Sequence, residues 1–137
     1  MRAVTSITRS RRALLVGVLI ATIVLGAAPS QSASRRINAA GSPGAWRWDP
    51  DIRRIHKGDR IVWANDTSAS HRVTAYSGRW SKDSAIAPGE TTRKRFRRRG
   101  LFKFRCTVGE GTAAAHSTLN PDGTCNGMCG RVRVRRR

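Results

Sequence analysis

The rhythm of the apolar runs narrows the fold most. Beyond residue 45 no stretch repeats apolar residues at helical spacing; short runs alternate apolar with polar side chains and stop at turn residues. In DIRRIHKGDRIVWAN, Ile52 and Ile55 precede a KGD turn, after which Ile61 and Trp63 share a face. HRVTAY sets Val73 among polar neighbours, and SAIAPGETT supplies a Pro-Gly turn before a strand whose arginines flank Phe96. GLFKFRC alternates Phe102 and Phe104 with Lys103 and Arg105, and GRVRVRRR alternates Val132 and Val134 with arginine. Alternation of this kind suits a sheet with one face in a core and the other in water. About seven to eight such runs predict an all-β fold, a β-sandwich. Trp46, Trp48, Trp63 and Trp80, with three Phe, supply much of the core volume.

The first residues follow another rule. Arg2, Arg9, Arg11 and Arg12 precede an apolar run, Ala13 to Ala28, and small polar residues follow. This is the layout of an export signal, and the run is short for a membrane-spanning helix of about 20 residues. SRRALL, Ser10 to Leu15, also fits the twin-arginine pattern, which an ordinary secretory signal with a basic start would mimic. Residues 1–34 are therefore expected to be a signal peptide or an uncleaved anchor. Residues 35–45 are expected to be a short linker, and 46–137 the folded domain. Such a chain works outside the cytoplasm, where disulfides persist.

Charge is the third constraint. The chain has 27 basic residues against 8 acidic, a formal net charge of +19. RKRFRRR (Arg93–Arg99) and RVRVRRR (Arg131–Arg137) concentrate it. Partners of opposite sign follow: an acidic redox protein, an anionic cell-surface polymer or anionic lipid. An exported chain without a pattern of stacking aromatics is not expected to bind nucleic acid.

All three cysteines lie in FRCTVGEGTAAAHSTLNPDGTCNGMCG, residues 104–130, together with His116 and Met128. Thiolate, imidazole and thioether are soft or borderline metal ligands. The stretch reads as a metal-binding loop, a disulfide loop, or both. Cys-x3-Cys would itself hold Cu(I) or zinc, but no nearby histidine completes a tetrahedral set.

From Trp46 onward the chain resembles the cupredoxins, the plastocyanin- and azurin-like blue copper proteins. The resemblance rests on KGDRIVWANDTSASHRV (Lys57–Val73), IAPGETTRKRF (Ile86–Phe96), GLFKFRC (Gly100–Cys106) and GMCGRVRV (Gly127–Val134), in family order. It implies a Greek-key sandwich and one type 1 copper per chain, with His71, Cys106, His116 and Met128 as ligands. His56, beside KGD at a strand end, is expected at the surface. With Cys106 kept as thiolate, Cys125 and Cys129 remain for a local disulfide round Met128; pairing of either with Cys106 would abolish the site. The family usually has C-x2-4-H, whereas this chain has C-x9-H. Treating GEGTAAA (Gly109–Ala115) as an insertion restores C-x2-H, and lengthening a loop from about 3 to 10 residues costs only about 1 kcal/mol.

The function implied is single-electron transfer by an exported, monomeric copper protein. A copper carrier or storage domain, or a metal-free module that binds polyanions, are the alternatives. No Ser/His/Asp order, phosphate loop or carboxylate pair points to an enzyme.

Overall fold

A computed structural model describes residues 31–77 and 79–137, so the signal reading lies almost wholly outside the described residues. Among them the chain forms eleven strands: β1 (Ser34–Ala40), β2 (Arg47–Asp49), β3 (Ile52–His56), β4 (Arg60–Asn65), β5 (His71–Ala75), β6 (Asp83–Ile86), β7 (Thr91–Arg95), β8 (Gly100–Arg105), β9 (Ser117–Leu119), β10 (Cys125–Gly127) and β11 (Cys129–Arg135). One sheet runs β2-β1-β4-β7 and the other β3-β11-β8-β5-β6, with β9 and β10 as a separate ribbon. Most pairs are antiparallel; β1 with β4 and β3 with β11 are parallel.

The expected all-β sandwich is present, with one correction to its boundary. Residues 35–45 are no linker, and the domain does not start at 46. Ser34 to Ala39 pair with Arg60 to Asn65 in an interior strand. Ile37 there is fully buried, and Ala33 N–H donates to Asp59 Oδ1 at 3.0 Å. A parallel neighbour over 20 residues away supplies the ladder partners that the local sequence does not announce.

Alternation places the core as expected. Ile37, Ile61 and Trp63 of one sheet face Val73, Ile86, Phe104 and Val132 of the other, all essentially without solvent contact. Phe104 sits between Trp63 and Trp48, edge-on to each at 5.3 and 5.7 Å between ring centroids. Burying each of these side chains is worth roughly 2–3 kcal/mol. Gly130 of β11 pairs with Phe104, and its missing side chain makes room for that ring, which a β-carbon would strike. Alternation lapses at the end of β4, where Trp63, Ala64 and Asn65 are buried in succession, and at the end of β8, where Arg105 is buried although Lys103 on the same strand is only half-covered.

These strands carry the chain between two ends of the sandwich. His71 opens β5, Cys106 follows β8 and Met128 precedes β11, so all three reach the same end. The turn Lys57–Asp59, the Arg97–Arg99 segment and the C-terminal arginines lie at the other.

Candidate metal centre

His71 is oriented by the polar loop before it. The amide nitrogen of Asn65, at the end of β4, donates to the Ala69 carbonyl at 2.7 Å and to that of Ile86 at 3.0 Å. Its oxygen is thereby left to accept, and takes the Thr67 main-chain N–H at 3.0 Å and the Thr67 hydroxyl at 2.7 Å. With its proton given to Asn65, Thr67 Oγ1 accepts from His71 Nε2 at 2.9 Å. The network thus assigns the His71 proton to Nε2 and the lone pair to Nδ1.

Cys106 is free and fully buried. Its sulfur accepts the Arg72 N–H at 3.3 Å. Burial pushes the thiol pKa up, while N–H groups of Val108 and Arg72 and the Arg105 charge oppose that rise. Its main-chain N–H donates to the Met128 carbonyl at 3.0 Å, and its carbonyl accepts the Ser117 hydroxyl at 2.5 Å.

His116 arrives by a closed detour. Its N–H donates to the Val108 carbonyl at 3.0 Å, so residues 109–115 loop out and the chain returns to where it left. Turn hydrogen bonds Glu110 to Thr107, Thr112 to Gly109 and Ala115 to Thr112 hold the detour together. Glu110 pairs with the buried Arg105 guanidinium, which explains the lapse in alternation at the end of β8. The reading of GEGTAAA as an insertion within C-x2-H describes this geometry.

Three donor atoms converge as a result. His71 Nδ1 lies 3.2 Å from His116 Nδ1, and Cys106 Sγ lies 3.9 and 3.4 Å from those two nitrogens. A point equidistant from all three is about 2 Å from each, the length of a bond from a transition metal to imidazole or thiolate. Burial, then the charge of His116, lowers the His71 pKa to about 4, and burial lowers that of His116. Both rings are neutral at neutral pH, as ligands must be. The group fits a metal ion.

Met128 is fully buried, and its main chain is tied to both neighbours: its N–H donates to the His116 carbonyl at 2.8 Å. Gly127 before it adopts φ +83°, where a β-carbon would strike the His116 carbonyl. Cys125 and Cys129 form the disulfide that brackets Met128. His56 is exposed beside Asp59 at the opposite end.

Thr67, Ser117 and Trp46 carried no signal in the sequence as parts of a site. Trp46 packs on both imidazoles, edge-on to His71 at 5.0 Å and tilted to His116 at 5.7 Å. Beside it Pro43, Ala113, Ala114 and Ala115 line a depression of about 330 Å³ against His116. His71 and Cys106 are sealed, and His116 is the side chain of the three that reaches this surface.

No family model matches the chain. Solved structures do resemble it. A purple cupredoxin from Nitrosopumilus maritimus is 19% identical, with a TM-score of 0.53 over 73% of this chain and 98% of its own. A reduced amicyanin variant is 16% identical, with a TM-score of 0.56 over 74% of this chain and 82% of its own. Another amicyanin variant, in its Cu(I) form, is 15% identical at a TM-score of 0.55 and the same coverages. The order of the two sheets and these likenesses make one conclusion: this chain folds as a cupredoxin.

Proposed function

We propose that the chain is an exported carrier of single electrons holding one type 1 copper ion. His71 Nδ1, Cys106 Sγ and His116 Nδ1 would hold the ion most strongly, and the buried Met128 thioether would add a weak fourth contact. The triangle of two imidazole nitrogens and one sulfur carries this reading, because that donor set is the one a type 1 site requires. Bound copper supplies a reversible one-electron couple. The protein's part is to hold the donors. Thr67 fixes the His71 tautomer, the Val108–His116 closure fixes His116, and burial keeps water from Cys106. His116 and the alanine-lined depression next to it form the surface at which a redox partner meets the centre. The protein fills the strong positions, so no place is left for a substrate, and the chain is not an enzyme. An acidic partner suits the basic surface, with an association rate that falls as salt rises. The molecule acts as a monomer outside the cytoplasm.

Reconstitution with copper and a visible spectrum test this reading. An intense thiolate-to-Cu(II) band is expected in the wild type and absent in Cys106→Ser. Copper uptake without that band sinks the proposal. Voltammetry then separates an electron carrier from a copper store: a carrier shows a reversible couple, whereas a store does not.

A further inference from the structure

The two ends of the sandwich differ in charge. From Gly100, where β8 begins, to Cys106, just past its end, the chain covers about 20 Å. The end remote from the metal centre gathers Lys57, Arg60, Arg95, the Arg97–Arg99 run and the Arg135–Arg137 tail. Main-chain hydrogen bonds make these one surface. Lys57 N–H donates to the Arg135 carbonyl at 2.9 Å, Gly58 N–H to that of Phe96 at 2.8 Å, and Phe96 N–H to that of Asp59 at 2.9 Å.

Among the described residues Asp59 is the one acidic group at this end, and it is already occupied. It is 4% exposed, accepts the N–H groups of Ala33 and His56, and pairs with Arg137. Among the described residues no carboxylate lies within ion-pair distance of Arg95, Arg97, Arg98 or Arg99, all of them exposed. Arg60 and Arg95 stand directly opposite each other on β4 and β7, a like-charge pair that costs stability unless an anion joins it.

The chain itself indicates which anion. Arg137 Nη2 donates to the Gln31 carbonyl at 3.0 Å, so the described chain enters at this end. Only Pro29 and Ser30 separate Gln31 from the apolar run Ala13–Ala28. Three residues reach about 10 Å at most. Wherever that run meets a bilayer, this surface is held at the headgroups. Arginine's planar fork suits phosphate, which it grips by two parallel hydrogen bonds.

We propose that this arginine-rich end docks on anionic phospholipid headgroups, leaving the metal centre turned away from the membrane and open to a soluble partner. The docking is independent of which ion the metal centre holds. Cationic side chains near an anionic leaflet each contribute roughly fivefold in affinity.

The test uses the full chain and compares its affinity for phosphatidylglycerol–phosphatidylcholine vesicles with that for pure phosphatidylcholine. The ratio cancels whatever the apolar run contributes. The triple variant Arg97→Gln, Arg98→Gln, Arg99→Gln is expected to lower the ratio about a hundredfold. A control that removes three charges from the outward sheet face (Arg54→Gln, Arg131→Gln, Arg133→Gln) is expected to lower it only a few-fold. The wild-type ratio itself collapses at high salt, a readout that needs no variant. A wild-type ratio near one overturns the proposal, as does an equal loss in both triple variants. Tighter binding, per phosphate, to a soluble glycerol-phosphate polymer than to the vesicles would assign the surface to a wall polymer and overturn the lipid reading.

Discussion

Thr67 decides which nitrogen of His71 is bare, although it touches neither Cys106 nor His116. Its hydroxyl proton goes to Asn65, so its oxygen takes the Nε2 proton and Nδ1 faces the other donors. Thr67→Val keeps the shape and loses the acceptor. Copper affinity is expected to fall about 10- to 100-fold, with Thr67→Ser restoring most of it, as read by competition with a chelator. Unchanged affinity in Thr67→Val would show that the hydroxyl does not set the tautomer. The donor groups that converge, His71, Cys106 and His116, were legible because their residue types and their order match the motifs that the chain shares with the cupredoxins. Thr67 was not, because a threonine within NDTSAS has no periodicity and its partner is fixed by a turn. Trp46 was legible only as core volume; its contact with both imidazoles comes from the way β2 lies over the end of β5.

At the scale of elements, the segment from Val108 to His116 is a detour closed at its base. Excising Gly109–Ala115 is expected to leave the thiolate-to-copper band in place and to remove the alanine wall beside His116. Loss of copper uptake in that deletion would mean that the loop, and not the Val108–His116 hydrogen bond, positions the ligand. The Cys125–Cys129 bridge closes a small ring, for which chain entropy gives about 2 kcal/mol. Cys125→Ser with Cys129→Ser should lose about that much in denaturant unfolding, while the Cys106 band persists. Strand β1 was illegible for a physical reason. SRRINAA begins with charge and ends in alanines, so neither period nor propensity marks it; its stability comes from a parallel neighbour distant in sequence.

At the scale of the molecule, Asp59 ties three chain segments together at the end remote from the metal centre. Burial acts to raise its pKa, but the N–H groups of His56 and Ala33 and the Arg137 guanidinium outweigh it and hold the carboxyl below its usual 3.8. A folded-state pKa below the unfolded one gives stability that is present above about pH 4 and lost as pH falls through the lowered value. Unfolding midpoints of the metal-free protein should therefore drop in acid. Asp59→Asn should cost about 2 kcal/mol at neutral pH and flatten the acid limb that the carboxylate causes. A variant whose midpoints track the wild type at every pH would show that the knot contributes nothing. Trp63→Ala, at the centre of the aromatic contacts between the sheets, should cost about 3–5 kcal/mol by the same measurement.

Sequence alone determined the class of fold and the candidate donor types, because alternation, donor chemistry and motif order are local properties of the chain; that Cys125 pairs with Cys129 and leaves Cys106 free was settled by the structure. Tertiary structure decided where the domain begins, which nitrogen of His71 is free, and how Arg105 comes to be buried against Glu110. It also decided that the arginines separated along the chain form one surface remote from Cys106. Each of these depends on groups far apart in sequence meeting in space, and contact at that range is fixed only when the two sheets close on each other.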